Sequence, residues 1–202
     1  IGDCIECGVG KYVEVTGSDQ ASDCIDCAVG KYVEVLGSDE LSDCIDCDAG
    51  KYVSVLGSDE AGDCIDCAAG RYVSETGSDA VGDCIYCPPG NVTDTLATSG
   101  GTSCIACAAG KHSSASTIDC IDCVAGKYVE ALATDEAAGC IGCPVGRYVE
   151  ESGSDQIGDC IVCPGHSGTV HQQAVTSAAM CECDATCDCA CIQQHGDLCH
   201  RH

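Results

Sequence analysis

The chain has 202 residues, 24 of them Cys, with seven Tyr, no Trp and no Phe. That composition excludes an ordinary aromatic-rich core and marks a disulfide scaffold of an oxidising compartment, so an extracellular or cell-surface location is expected. A formal net charge of −25 excludes nonspecific nucleic-acid binding and adsorption to anionic membranes, and no apolar run suggests membrane insertion.

The chain opens inside a repeat, at Ile1-Gly2-Asp3-Cys4, without a signal peptide, as expected of a mature or excised segment. Cys-Ile-x-Cys-x-x-Gly-Lys-Tyr-Val then recurs from Cys4, Cys24, Cys44, Cys64, Cys120 and Cys140, with looser copies at Cys84 and Cys104 and a broken one at Cys160. The step is 20 residues, except for 16 between Cys104 and Cys120. Such a period marks an array of small supersecondary units stacked on one another.

Within a unit, Gly10 and its equivalents mark a turn, Lys11–Val15 is a short alternating strand, Gly17-Ser18-Asp19 is a second turn, and Cys-Ile-x-Cys is another strand. The unit reads as an irregular hairpin. Its Ile, Tyr and Val side chains are too few to offset the entropy of ordering it alone, so stacking and disulfides must contribute heavily. In an extended Cys-Ile-x-Cys the two sulfurs leave on opposite faces, the first reaching back and the second forward. This predicts Cys7–Cys24, Cys27–Cys44, Cys47–Cys64, Cys67–Cys84, Cys87–Cys104, Cys107–Cys120, Cys123–Cys140 and Cys143–Cys160. Pairing inside each Cys-x-x-Cys is the rival, and it would tie no unit to the next.

Cys-x-x-Cys-x-x-Gly-x-Tyr resembles the ephrin-receptor-like cysteine-rich repeat, and is similar to the first loop of the modules in tumour necrosis factor receptors. The resemblance covers residues 1 to about 165. In those modules the Cys before Gly-x-Tyr bonds forward. The family usually has Pro after that Cys; Pro88, Pro144 and Pro164 keep it, and most units here depart from it. The resemblance implies an extracellular rod and no catalysis.

Units one to four, residues 1–80, are nearly identical, whereas 81–119 are irregular. There Asn91 replaces the basic residue, Val92 replaces Tyr, Thr95 to Ser103 is rich in Ser, Thr and Gly, and His112 stands in a Tyr position. A kink or local loosening is expected. The pattern recovers over 117–156 and fails after Cys163, with room for a short helix within Thr169–Met180. The fold class is therefore small, disulfide-rich and mostly β: an elongated solenoid-like rod of about nine hairpin repeats over 1–165, then a Cys/His-rich module over 166–202.

Several chemistries compete with a purely structural role. Zinc-ribbon spacing is present, but a four-Cys array would alternate at 40 residues, and these units repeat at 20. Thiol–disulfide exchange needs a lowered thiol pKa, and acids flank each motif. Asp3, Asp19, Asp23, Asp26, Asp39, Asp43, Asp46, Asp59, Asp63 and Asp66 recur in register, as weak Ca2+ sites or as a solvated acidic edge. Lys11, Lys31, Lys51, Arg71, Lys111, Lys127 and Arg147 form a basic column, in one repeat position, that partly offsets that edge. Tyr12, Tyr32, Tyr52 and Tyr72 are read as core residues stacked between units, with a binding face as the alternative. No cofactor is otherwise expected.

Asn91-Val92-Thr93 is a glycosylation sequon on the sole Asn, making glycans an expected partner, with Ser and Thr between 93 and 117 as O-glycan candidates. The tail cysteines Cys181, Cys183, Cys187, Cys189, Cys191 and Cys199, with His195, His200 and His202, suit a disulfide knot or resemble a metallothionein-like cluster. Cys4 lacks an upstream partner and Cys163 a downstream unit, so Cys4 is a candidate intermolecular disulfide. Two functions follow: a subunit of an extracellular fibre, coat or appendage joined head to tail to copies of itself, or a ligand-binding segment of a receptor ectodomain.

Overall fold

The structure is a computed structural model, and it describes residues 5–163 and 174–178. Described strands are two or three residues long, because a glycine turn or a disulfide interrupts the chain every few residues. Gly10, with φ +79°, turns the chain into the strand Lys11–Tyr12, which pairs antiparallel with Ile25–Asp26. Each hairpin thus straddles a unit boundary. Lys31–Tyr32 pairs with Ile45–Asp46, Lys51–Tyr52 with Ile65–Asp66, and Arg71–Tyr72 with Ile85–Tyr86. Single 3-10 turns, such as Leu41–Asp43 and Ala61–Asp63, lead into the first Cys of most units.

The core is a set of small separate clusters. Tyr12, Cys27, Val33 and Cys44 form one, and Tyr32 packs against Cys47, Val53 and Cys64 in the next. Tyr52 packs likewise on Cys67, Val73 and Cys84. The isoleucines do not join them: Ile25 is 47% exposed and Ile161 55%. This corrects the expectation that each unit buries its Ile. The cysteines on either side are drawn inward to different bonds, so the two residues between them face solvent.

Consecutive units add a second connection. Tyr12 bridges Ser38 in parallel, Tyr32 bridges Ser58, and Tyr52 bridges Ser78. Gly10 N–H donates to Val33 O, Val13 N–H to Ser38 O, and Gly37 N–H to Cys7 O. A third connection skips a unit. A Cβ built on Gly10 would lie 2.2 Å from Gly57 O, and one on Gly30 would lie 2.1 Å from Gly77 O. Among the described residues, units one to seven therefore pack on the next and on the one beyond it, which exceeds the nearest-neighbour contacts of a simple repeat array.

The irregular middle keeps these connections with different residues. Tyr72 bridges Gly101, Gly100 N–H donates to Cys67 O, and Thr93 N–H to Ser116 O. The longer loop after Thr93 is closed by Asp94, which accepts from Thr102 N–H at 3.0 Å and from the Thr102 and Ser103 hydroxyls. His112 takes the Tyr position and bridges Thr134, with its Nδ1 buried and unpaired.

Further along, Tyr148 bridges Val175, and Val149 N–H donates to Val175 O. Residues 174–177 thus form the next turn of the ladder and are not helical, with Val175 the buried partner of Tyr148; residues 169–173 and 179–180 of the stretch Thr169–Met180, within which a short helix is expected, lie outside the described residues. By its internal contacts the chain divides into two compact units. One comprises 1–88, 92–105 and 116–118; the other comprises 89–91, 106–115 and the residues from 119 onward. Each has the same construction.

Candidate functional site

Eight disulfides join successive units: Cys7–Cys24, Cys27–Cys44, Cys47–Cys64, Cys67–Cys84, Cys87–Cys104, Cys107–Cys120, Cys123–Cys140 and Cys143–Cys160. Cα separations are 5.5–5.7 Å, which the extended Cys-Ile-x-Cys geometry provides without distorting the strand. The shortened unit keeps its bond across 13 residues where the others span 17. Cys163, expected to lack a partner, is itself disulfide-bonded, its partner lying outside the described residues. Cys4 also lies outside them, as do the six tail cysteines, His195, His200 and His202.

The recurring acids have identifiable local duties. Asp26, Asp46, Asp66 and Asp122 pair across the hairpins with Lys11, Lys31, Lys51 and Lys111. Asp43 accepts the N–H groups of Asp39 and Glu40, closing the turn into Cys44, and Asp63, Asp83 and Asp159 repeat the arrangement. Glu34 accepts Ala61 N–H at 2.8 Å from the next unit, and Glu130 accepts Ile157 N–H at 3.0 Å. The Lys51 ammonium, which donates to it, holds the Asp66 carboxyl below its ordinary range against a partial desolvation cost. For Asp94, burial alone would raise the pKa. Its bonds from Thr102 and Ser103 outweigh that and lower it. Asp3 is outside the described residues; among those described, no three His, Cys, Asp or Glu side chains converge as a metal site.

The basic column meets different partners. Four of its five lysines face an Asp across the hairpin and Lys127 faces Gly142, whereas Arg71 faces Tyr86 and Arg147 faces Val162. Arg71 donates to Cys84 O at 2.8 Å while its guanidinium lies 3.8 Å from the centre of the Tyr86 ring. Arg147 donates likewise to Cys160 O. An ammonium pairs with a facing acid as a point charge; the planar fork of arginine reaches a backbone carbonyl, and that of Arg71 also stacks on a ring. Sequence reading missed this pair, although Tyr86 replaces Asp in the same hairpin where Arg71 replaces Lys. Tyr86 is 63% exposed, unlike the column tyrosines.

Asn91 lies half-exposed in the strand Asn91–Thr93, and its Nδ2 donates to Pro89 O at 3.1 Å on the solvent side. Thr93 is fully buried. A surface depression of about 400 Å³ is lined by residues 72–79, Asp83 and Ile85. Its lining carries carboxylates and hydroxyls, with no His, Cys, Lys or Arg to act as an acid–base or nucleophilic partner to them.

No curated protein matches the chain. Residues 30–84 match the family model described as tyrosine-protein kinase ephrin type A/B receptor-like. The matched stretch contains the complete Cys47–Cys64 and Cys67–Cys84 links and the hairpins of Lys31–Tyr32 with Ile45–Asp46 and of Lys51–Tyr52 with Ile65–Asp66. This family of repeats is typically non-enzymatic and belongs to extracellular or cell-surface chains. On the motif, the disulfides and the fold together, residues 30–84 of this chain are similar to the cysteine-rich, ephrin-receptor-like repeat.

Proposed function

We propose that the chain is a non-catalytic structural segment of an extracellular assembly, joined head to tail with further copies of itself. The observation that supports this is that one face, the second turn with its strand edge, is what each unit offers to its neighbour along the described array. In units two to four the preceding unit covers the turn: Ser38, Ser58 and Ser78 are buried, as are Val33, Val53 and Val73. The equivalent Val13 and Ser18 of the first unit are half-exposed. That face presents the turn and strand edge against which units already pack throughout the array, so a unit from a second copy fits it. Such a heterologous contact propagates instead of closing, unless its rotation brings it back on itself. Cys4 is the candidate covalent lock of the contact.

The test is sedimentation and electron microscopy of unreduced full chain beside Val13→Glu. Val13 contributes its backbone N–H to Ser38, which the substitution keeps, so the variant should fold and lose association. Wild-type monomers that stay dispersed at high concentration would overturn the proposal. A second reading, a ligand-binding receptor segment, is favoured by the family match and by Arg71 stacked on exposed Tyr86, residue types that anchor interfaces. Dispersed monomers that bind cells through Tyr86 would transfer the assignment to it.

A further inference from the structure

We infer that Asn91 is an N-glycan acceptor that has to be used before its part of the chain folds. Seven other units carry Lys or Arg in the Asn91 position. In the hairpin between the fifth and sixth units the charged pair has gone altogether: Asn91 holds the basic position and the exposed Ala106 holds the position of Asp26 or Asp46. The two strands that contain them still pair. Pro88 and Pro89 beside Asn91 are exposed as well. The Asn91 Nδ2 therefore lies on the solvent side, where it donates to Pro89 O and where a glycan can be carried.

The other half of the sequon behaves oppositely. The hydroxyl is what Ser and Thr share at the third position, so it is the feature a transferase has to reach. In the fold, Thr93 is 0% exposed and directs its Oγ1 at Leu96 O, 3.1 Å, and Ser116 O, 3.3 Å. Its own N–H is committed to the same Ser116 carbonyl. Residue 116 lies 23 positions downstream, so the hydroxyl is free in the emerging chain and is sequestered once that segment arrives and docks.

The co-reactant is a lipid-pyrophosphate-linked oligosaccharide. Nδ2 of Asn91 attacks its anomeric carbon; a C–N bond forms and the C–O bond to pyrophosphate breaks. The lipid pyrophosphate leaves, and one amide proton passes to a base of the transferase. The remaining amide N–H still serves Pro89 O.

Two measurements test this on the full chain. Secreted from a eukaryotic host and treated with peptide N-glycosidase in heavy-oxygen water, it should yield position 91 as heavy-labelled Asp, with no such signal from Asn91→Gln. Unlabelled Asn91 in the secreted protein would overturn acceptor use. In the second, unglycosylated chain, either folded or reduced and alkylated, is offered to purified oligosaccharyl transferase with its lipid-linked donor. The unfolded form should be modified roughly tenfold faster or more, because the folded form reacts only through local opening. Equal rates would overturn the order of events, and Asn91→Gln, which leaves Thr93 in place, reports whether folding itself is unchanged.

Discussion

At the residue scale, the most exacting position is the second turn of each unit, where the backbone takes the left-handed conformation. Gly37, Gly57, Gly77 and Gly153 occupy it at φ 68–78°. Ala133 holds the same place at φ 56°, donating its N–H to Cys107 O as Gly37 does to Cys7 O. An L side chain costs roughly 1–2 kcal/mol there. Ala133→Gly should therefore stabilise the chain, by about 0.5–1 kcal/mol after the added freedom of the unfolded state is subtracted, read as a shifted denaturant midpoint. Gly30→Ala should do the reverse and more strongly, since a Cβ there would meet Gly77 O at 2.1 Å as well as the φ of +82°. A neutral Gly30→Ala would refute the close packing of alternate units.

Between residues and the array lies the hairpin element, and the loop that distinguishes one of them. Asp94 closes its loop only as a carboxylate, accepting from Thr102 and Ser103, and its pKa in the fold is lowered. A depressed folded pKa means that the stabilisation is complete above the unfolded value, about 3.9, and is lost as pH falls through the folded one. Amide exchange at Thr102 should accelerate in that acid range and be pH-insensitive, relative to intrinsic exchange, in Asp94→Asn. The element was only partly legible in sequence. Gly-x-Tyr-Val and the facing of Cys-Ile-x-Cys give strands and turns, because local backbone preference sets both. The partner strand comes from the following unit, and period alone does not reveal that. The solvent exposure of Ile25 and its equivalents was hidden for a related reason: which of four alternating residues goes inward is decided by two separate disulfides. The Arg71–Tyr86 stack was visible only as a paired departure from consensus, and the sequestered Thr93 depends on Ser116, far along the chain.

For the whole molecule, covalent and noncovalent links run in parallel. Removing one disulfide, as in Cys27→Ala/Cys44→Ala, reopens a loop of 17 residues and should cost about 3 kcal/mol in the chain-entropy account. Its consequence should not stop at the two units joined. Cys27 O accepts the N–H of Gly57, and Gly57 in turn lies against Gly10. Hydrogen exchange is expected to speed up at the Gly57 amide as well as at Cys47, whose N–H is bound to Gly30 O. Loss of protection confined to 27–44 would mean that the units are energetically independent.

The contact between alternate units also bears on how such a chain can change length over generations. A duplication or deletion of one full period leaves every turn facing the partners it had before, two steps away included. A cut at half a period would set strands against turns and leave carbonyls facing carbonyls. Gene copies that slip by whole units are thus silent in structural terms, while partial slips are lethal to the fold. The one short step, from Cys104 to Cys120, respects this: residues are missing on both sides of Ser116, yet Ser116 still receives Thr93 and still bonds Gly70. Number of units is open to drift; their phase is not.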